Sequence, residues 1–247
     1  MFNFFKKTSS HPKRLFYSTD IHCHIVPGVD DGARTVEDSL QLISKECGWG
    51  IKRIFCTPHI TEETFENNPS TLSKAFEILK QETDKAQPDI ELDYSAEHRL
   101  DPYFLSLFEK GDIRPLPNSY ILIENSFVQE AWNIDQQVYD LSIKGLKPIL
   151  AHPERYHYYM INRKRYEELH SAGLLFQVNL LSLAGYYGKE QKQVAEWLIE
   201  KNMVDFLGSD MHHMRHAEAI DRYIDGKDYK KHSEALRGRI LNDRFFL

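Results

Sequence analysis

Short runs of β-branched and aromatic residues alternate with longer segments of helical period over nearly the whole chain, and this alternation restricts the fold more than any other feature. The short runs predict seven strands, at residues 19–25, 53–57, 90–96, 120–125, 148–151, 175–180 and 204–209. The segments between them predict six helices, at residues 36–47, 70–86, 102–110, 129–144, 163–172 and 189–202. Strands separated by helices favour a parallel sheet with right-handed crossovers.

The number of strand and helix units indicates a single α/β domain. A chain of 247 residues can form one α/β barrel or two small domains, but seven units leave little room for a second core. We therefore expect a closed or nearly closed barrel over residues 17–247, preceded by an N-terminal tail at residues 1–16. A doubly wound open sheet is the alternative, because periodicity does not report closure.

Charge and cysteine content argue against several classes of protein. The 31 basic and 37 acidic residues give a net charge of -6, which argues against nucleic acid as a partner. No apolar run approaches the roughly 18 to 20 residues that cross a bilayer, and the N-terminal residues lack the apolar stretch of a signal peptide. Cys23, Cys47 and Cys56 form no regular framework, so we expect a reducing, cytoplasmic compartment.

Ligand-type side chains occur in pairs at the first and last predicted strands. Alternate residues of a strand face the same side, so we expect His22 and His24 to project together, and likewise Asp210 and His212. Imidazole and carboxylate groups in such pairs are typical metal ligands. A single His-x-His pair is a weak signal, however, and a solvated loop histidine is the alternative interpretation of each.

Four more predicted strands end at or near a further ligand-type residue. These residues are His59, Glu97, Glu124 and His152, and the loop after the first strand adds Asp30 or Asp31. The C-terminal rim of an α/β barrel collects catalytic residues from several strands at once. We therefore expect about nine ligands in one place, which is too many for one tetrahedral ion and suits two or three ions.

The chemistry of these residues indicates hydrolysis of phosphate esters. Converging carboxylates repel one another unless cations neutralise them, and mixed imidazole and carboxylate donors without thiolate suit Mn²⁺, Fe²⁺ or Zn²⁺. Clustered ions of this kind activate water and hold the oxygens of a transferring phosphoryl group. Arg155 follows His152 by three residues and has the planar fork that grips phosphate. Arg215, three residues past His212, is a second candidate; a surface arginine is the alternative for either.

A cysteine-based mechanism is the competing interpretation, and we reject it. Residues 47–53 match the Cys-x₅-Arg pattern of thiolate-based tyrosine phosphatases, which place the cysteine at the end of a strand and the arginine at the start of a helix. Here Cys47 ends a predicted helix and Arg53 begins a predicted strand, so the polarity is reversed. The sequence also lacks the glycine-rich nucleotide-binding motifs and the GxSxG motif of serine hydrolases.

Several motifs in register resemble one known family. In chain order they are Asp20-Ile-His-Cys-His-Ile-Val-Pro-Gly-Val-Asp-Asp-Gly-Ala, Cys56-Thr-Pro-His59, Ala96-Glu97, Leu122-Ile-Glu124, Ala151-His-Pro-Glu-Arg-Tyr156, Gln177-Val-Asn179 and Ser209-Asp-Met-His212. The sequence resembles the bacterial metal-dependent tyrosine phosphatases of capsule and exopolysaccharide loci, within the polymerase and histidinol phosphatase (PHP) superfamily. The match extends from about residue 19 to about residue 216.

The resemblance implies a distorted (β/α)7 barrel and a site with two or three metal ions, often manganese, that hydrolyses phosphotyrosine through a metal-bound hydroxide. Carried over by motif position, the implied ligands are His22, His24, Asp31, His59, Glu97, Glu124, His152, Asp210 and His212. Arg155 would hold the phosphate. The implied partner is a bacterial tyrosine kinase of the polysaccharide export machinery, which could bring the protein to the inner membrane.

Two other functions stay open on the sequence alone. One is a phosphatase of a small phosphomonoester such as histidinol phosphate or a sugar phosphate. The short loops between the predicted units leave the rim open, and an open rim admits an aryl phosphate on a peptide. The loops therefore argue against a phosphatase of small phosphomonoesters. The other is a barrel without catalytic activity that serves as a regulatory module. Loss of metal ligands would indicate such a module, and none of the main ligand positions is lost.

Overall fold

Parallel strands that follow one another in chain order form a curled sheet in the computed structural model, which describes residues 14–87 and 89–245. The strands are β1 (Thr19–Asp20), β2 (Arg53–Cys56), β3 (His59–Ile60), β4 (Glu91–Tyr94), β5 (Glu97–Arg99), β6 (Tyr120–Glu124), β7 (Lys147–Ala151), β8 (Leu175–Asn179) and β9 (Phe206–Gly208). Seven of them overlap the seven predicted strands, whereas β3 and β5 follow directly after the predicted strands at residues 53–57 and 90–96 and were not predicted.

The division of the sheet follows from the backbone around Pro58. Strands β1, β2 and β4 form one sheet, and β3, β5, β6, β7, β8 and β9 form the other. Pro58 has no N–H to donate, so the ladder stops at Cys56 and resumes at His59. The carbonyl of Pro58 accepts a hydrogen bond of 3.0 Å from the N–H of Glu97, where the pairing of β3 with β5 begins.

The first and last strands meet and close the barrel. Cys23 forms a parallel bridge with Met211. The N–H of Asp210 donates to the carbonyl of His22 at 2.8 Å, and the N–H of His24 donates to the carbonyl of Met211 at 3.0 Å. The expectation of an α/β barrel is therefore confirmed, and the open doubly wound sheet is wrong for this chain.

Two layers of apolar packing surround the strands. Inward-facing side chains fill the barrel in a cluster of buried residues: Ile21, Phe55, Leu116, Leu122, Ile149, Ala151, Phe206 and Phe245. A larger core lies between the outer face of the sheet and the helices. Strand β6 shows the alternation, because Leu122 belongs to the inner cluster while Ile121 and Ile123 belong to the outer core.

Helices cover the outside of the barrel. They are α1 (Val36–Gly48), α2 (Pro69–Ala86), α3 (Pro102–Lys110), α4 (Ile134–Ile143), α5 (His157–Met160), α6 (Lys164–Ser171), α7 (Leu180–Leu183), α8 (Lys189–Glu200), α9 (Met214–Ile224) and α10 (Lys227–Leu236). The six predicted helices correspond to α1, α2, α3, α4, α6 and α8. The prediction of a helix from residue 129 was too long, since α4 begins at Ile134 after an irregular loop. The prediction missed α9 and α10, although α9 is strongly amphipathic.

The packed part of the chain begins before residue 17. Leu15 is buried in the outer core, and its N–H donates to the carbonyl of Trp49 at 2.8 Å. The expected tail at residues 1–16 therefore includes residues that pack on the barrel, and its first thirteen residues lie outside the described part. Among the described residues, no helix has the length and apolar character needed to cross a membrane.

Candidate metal centre

The candidate site lies at the C-terminal ends of the strands, and the first of its residues follow β1 directly. The strand ends at Asp20, and His22 and His24 then turn inward so that their Nε2 atoms are 3.2 Å apart. The Asp20 carboxylate accepts hydrogen bonds from the backbone N–H groups of His22 (3.3 Å) and Ser209 (3.1 Å). Asp20 thus joins the first and last strands directly below the two histidines.

Glu97 is at the centre of the cluster. Its Oε2 atom is 3.3 Å from His22 Nε2, 3.4 Å from His24 Nε2 and 3.0 Å from His59 Nδ1. Its Oε1 atom is 2.9 Å from His152 Nε2. The side chain is fully buried, and Oε2 has no correctly directed hydrogen-bond donor among the described residues. A buried carboxylate oxygen facing three imidazoles is well suited to bind a cation between them.

Asp210 contributes the second central carboxylate. Its Oδ1 atom is 3.5 Å from His22 Nε2 and 3.4 Å from His24 Nε2. Its Oδ2 atom accepts hydrogen bonds from Asn179 Nδ2 (2.6 Å) and Arg155 Nη1 (2.9 Å). The remaining oxygen, Oδ1, therefore points toward the histidines.

Backbone strain positions two of these residues. β9 ends at Gly208, and Asp210 has a φ angle of 48°, so the expected strand alternation of Asp210 and His212 is wrong even though both residues reach the site. His152, directly after β7, has a φ angle of 36°. Left-handed backbone at residues other than glycine is uncommon and is concentrated at functional sites.

The outer side of the cluster opens to solvent. His59 Nδ1 is 3.4 Å from Glu124 Oε1, and His59 Nε2 is 3.6 Å from Asp31 Oδ1. Asp31 Oδ1 is also 3.5 Å from His212 Nε2. Asp31 is the most exposed member, with a side chain 59% accessible, whereas Glu124 is fully buried.

Every ligand expected from the sequence falls into a compact group of potential donors. Four groups have ligand atoms within 4.8 Å of one another: His24 with Asp31, His59 and His212; His22 with Glu97 and His152; His22 with His24 and Asp210; and His59 with Glu97 and Glu124. The groups share members, so one carboxylate or imidazole could contact more than one ion. Nitrogen and oxygen donors without thiolate suit Mn²⁺, Fe²⁺ and Zn²⁺.

The electrostatics of the cluster favour a bound cation. Burial alone lowers the pKa of His24, but the Asp30, Asp210 and Glu97 carboxylates hold that pKa well above its usual value. Burial likewise opposes protonation of His59, and the neighbouring glutamates raise its pKa to about 10. Burial alone would raise the pKa of Glu97 and of Asp210. The surrounding imidazoles outweigh this effect and hold both pKa values well below their usual range. Positive charge is thus required here, and a divalent cation can supply it.

Sequence analysis did not predict the role of several residues that support the predicted ligands. Asp30, considered only as an alternative to Asp31, accepts a hydrogen bond from His24 Nδ1 at 2.8 Å. Gln177 Oε1 is 2.6 Å from His22 Nδ1, and Arg99 Nε donates to Glu124 at 2.9 Å. Such partners fix the orientation of metal-binding imidazoles and carboxylates. Gln177 and Asn179 were detectable, because they are polar residues on the inward face of an otherwise apolar strand.

The structure separates the two arginines that were expected to hold phosphate. Arg155 lines a cavity of about 420 Å³ together with most of the exposed ligands. Arg215 instead lines a neighbouring cavity of about 380 Å³, together with Arg34. Asp31 and His212 border both cavities. Arg215 therefore does not line the cavity that contains Arg155, and its role as a second phosphate ligand stays a prediction.

The cysteines have no part in this site. Cys47 is in the last turn of α1 and Arg53 begins β2, so the reversed polarity expected for the Cys-x₅-Arg segment is observed. Burial raises the pKa of the Cys47 thiol, which disfavours the thiolate. Cys23 and Cys56 are fully buried in the outer core.

Comparison with known proteins gives consistent results at the level of sequence. A family model for capsular polysaccharide synthesis, CpsB/CapC, matches residues 18–239. The tyrosine-protein phosphatase YwqE of Bacillus subtilis is 32% identical over 197 residues, covering 79% of this chain and 78% of YwqE. The tyrosine-protein phosphatase CpsB of Streptococcus agalactiae is 32% identical over 205 residues, covering 79% of this chain and 83% of CpsB.

Solved structures show the same likeness. A structure from the set of YwqE of Bacillus subtilis and CpsB of Streptococcus pneumoniae, described as metal-dependent tyrosine phosphatases, aligns with a TM-score of 0.78 at 29% identity. The alignment covers 93% of this chain and 95% of that one. Histidinol phosphate phosphatase of Lactococcus lactis aligns with a TM-score of 0.53 at 14% identity, covering 84% of this chain and 92% of that one. At that identity, the second likeness concerns the fold alone.

Proposed function

The chain belongs to the CpsB/CapC family of capsular polysaccharide synthesis, and we propose that it hydrolyses phosphotyrosine on proteins at the cluster on the barrel rim. Its relatives are metal-dependent tyrosine phosphatases, and it is a hydrolase of the same kind. The observation that carries the assignment of the site is the buried carboxylate of Glu97, which faces three imidazoles and whose Oε2 has no hydrogen-bond donor in the described part of the chain.

The proposed metal ligands are the nine residues that the sequence predicts at the rim. They would be His22, His24, Asp31, His59, Glu97, Glu124, His152, Asp210 and His212. We propose two or three ions, with Mn²⁺ as the principal metal and Fe²⁺ or Zn²⁺ as alternatives at single positions. When bound, such ions lower the pKa of water and neutralise charge on the phosphoryl group.

The remaining residues of the site bind and orient the substrate. The Arg155 guanidinium presents N–H donors to the cavity, and its planar fork matches two phosphate oxygens. Its position is held by the hydrogen bond to Asp210 and by the ring of Tyr187, whose centroid is 4.2 Å from Arg155 Cζ. We propose that Arg155 orients the phosphate toward the cluster while Asp210 fixes the arginine.

The biological setting is likewise a proposal, which the family of the chain supports. We propose that the substrate is a bacterial tyrosine kinase that controls capsule or exopolysaccharide synthesis. We further propose that the protein acts in the cytoplasm and is recruited to the inner membrane by this partner. The cavity beside Arg155 is open to solvent along the exposed side of Asp31 and Phe127, which supports access by a polypeptide.

Phosphate release from two substrates tests the function. The protein is treated with a chelator, and turnover of a phosphotyrosine peptide and of histidinol phosphate is measured before and after addition of Mn²⁺. We expect Mn²⁺-dependent turnover with a higher kcat/KM for the peptide. A preference for histidinol phosphate would assign the site to a small phosphomonoester, and no turnover of either substrate would indicate a regulatory barrel.

A further inference from the structure

The loop that joins β6 to α4, residues 125–133, has polar side chains inside and apolar side chains outside; we call it the rim loop. Asn125 is fully buried, and its Nδ2 donates to the Tyr159 hydroxyl at 3.0 Å while its Oδ1 accepts from the N–H of Ala131 at 3.1 Å. Glu130 accepts hydrogen bonds from the Tyr159 hydroxyl at 2.7 Å and from Arg165 Nε at 2.8 Å. These bonds fix the loop backbone against the barrel.

The apolar side chains of the same loop point away from the core. Phe127 is 43% exposed, Val128 is 85% exposed and Trp132 is 84% exposed. The backbone carbonyl of Trp132 is itself held by a hydrogen bond of 2.8 Å from Gln137 Nε2. Single exposed apolar residues are ordinary, but several on one anchored loop indicate an interaction surface. We call Phe127, Val128 and Trp132 the apolar rim.

The apolar rim is continuous with the candidate active site. The Phe127 ring lines the same cavity as Arg155, whose Cζ is 4.6 Å from its centroid. The ring also stacks on that of His152 with centroids 5.6 Å apart. A ligand whose phosphate contacts Arg155 therefore lies beside Phe127, and Val128 and Trp132 belong to the same loop but do not line the cavity.

We propose that the apolar rim is the docking surface for the polypeptide that carries the phosphotyrosine, and that apolar residues flanking the phosphotyrosine pack on Val128 and Trp132. This inference rests on the proposed phosphatase function and names how its protein substrate is selected. The hydrogen bonds of Asn125 and Glu130 hold the loop in place before binding, so little conformational entropy is lost. Aromatic side chains on a loop that is held in place commonly contribute most of the binding energy of an interface.

Kinetics with two aryl phosphates test the proposal on the full chain loaded with Mn²⁺. One substrate is a phosphotyrosine peptide with leucine on both sides of the phosphotyrosine, and the other is p-nitrophenyl phosphate, which has no flanking residues. We expect Trp132→Ser and Val128→Ser each to lower the ratio of the peptide kcat/KM to the p-nitrophenyl phosphate kcat/KM by about 5- to 10-fold, mainly through the peptide KM.

The control is Ile78→Ser, which removes an apolar side chain that is 57% exposed on α2, outside the rim loop and the cavity. We expect this variant to keep the wild-type ratio. Thermal unfolding of the purified variants establishes that they are folded, as expected for exposed positions.

Three outcomes would overturn the docking proposal. An unchanged ratio in both rim variants would do so directly. If Trp132→Ser instead dissociated a wild-type dimer in sedimentation experiments and left the ratio unchanged, the rim would be a contact between copies of the chain. If the wild-type protein hydrolysed neither substrate, the phosphatase function itself would fail and the docking proposal with it; turnover of both substrates separates the two failures.

Discussion

At the scale of single residues, the site depends on charges that the fold buries before any metal binds. Glu97 and Asp210 are both buried and both face His22 and His24. Without a cation, protons on the imidazoles have to balance these carboxylates. An isolated buried charge costs roughly several kcal/mol. The buried carboxylates are therefore stable only beside protonated imidazoles or a bound cation.

The first prediction concerns Glu97. Glu97→Gln removes the central negative charge and an oxygen that faces three imidazoles, so we expect substantial loss of bound metal and a fall in kcat of at least about 100-fold. Elemental analysis of the purified protein measures the metal. Glu91→Gln is the control, because Glu91 is exposed on β4, in the predicted strand that precedes Glu97. Full metal content in Glu97→Gln would contradict the proposed ligand set.

The second prediction concerns a buried acid outside the cluster. Glu46 on α1 is fully buried near Asp20, and neither of its carboxylate oxygens has a hydrogen-bond donor among the described residues. Burial and the Asp20 charge raise the pKa of Glu46 well above the usual 4.5. The folded state therefore holds a proton that the unfolded state releases, and stability is lost as the pH rises above about 4.5.

Glu46→Gln should remove this loss, because the amide is neutral at every pH. We expect the free energy of unfolding of the variant, relative to wild type, to increase by about 1 kcal/mol or more between pH 5 and pH 8. Urea denaturation at several pH values measures it. Glu37→Gln on the exposed face of α1 should show no such trend. A relative stability that is constant with pH would show that Glu46 is ionised in the folded protein.

At the scale of elements, the loops after the strands position proposed ligands whose placement strand periodicity does not predict. The loop after β1 returns so closely on itself that a Cβ at Gly32 would lie 2.0 Å from the carbonyl oxygen of His24. The N–H of Gly32 also donates to Asp30 at 3.0 Å, and Asp30 in turn holds His24. Only glycine allows this approach, so the loop and the imidazole are positioned together.

Gly32→Ala should therefore displace both the loop and His24. We expect a loss of stability of about 1–3 kcal/mol and weaker metal binding, measured by urea denaturation and by metal titration. Gly48→Ala is the matched control, because a Cβ at Gly48 meets nothing within 4 Å at the end of α1. A Gly32→Ala protein as stable as the Gly48→Ala protein would mean that the loop is not tightly packed.

At the scale of the whole molecule, the C-terminal segment completes the barrel. The Asn242 side chain donates to the carbonyls of Thr19 (3.0 Å) and Leu207 (2.8 Å) and accepts from the N–H of Leu207 at 3.0 Å. Asn242 thereby connects β1 and β9 through side-chain hydrogen bonds, in addition to the backbone bonds of the sheet. Phe245 belongs to the cluster inside the barrel. Closure thus uses residues about 220 positions apart in the chain.

Asn242→Ala should weaken this closure, because it leaves buried backbone groups of β1 and β9 without partners. We expect a loss of about 2–4 kcal/mol in the free energy of unfolding, with the metal content of the folded protein retained. Asn162→Ala, at an exposed position, is the control and should change stability by less than about 0.5 kcal/mol. An Asn242→Ala protein as stable as the control would show that the ladder alone closes the barrel.

The sequence by itself determined the class of fold and the choice of the proposed ligands. Strand and helix periods are local properties, so the alternation predicted most of the barrel units, with errors at their ends, as at α4, and without α9 and α10. The proposed ligands were recognisable because chemically distinctive residues recur at strand ends, as His59 and Glu124 do.

Only the tertiary structure decided how these residues meet. Asp210 and His152 reach the cluster through left-handed backbone, which no strand period encodes. Arg215 was a second phosphate candidate because it lies three residues past His212, whereas the fold places it in the neighbouring cavity. Closure of the barrel and the outward apolar rim of residues 125–133 also depend on contacts between distant segments. Local sequence patterns indicate which side of a helix or strand a residue faces. Only the packing of the whole chain determines which of these sides meet in one site.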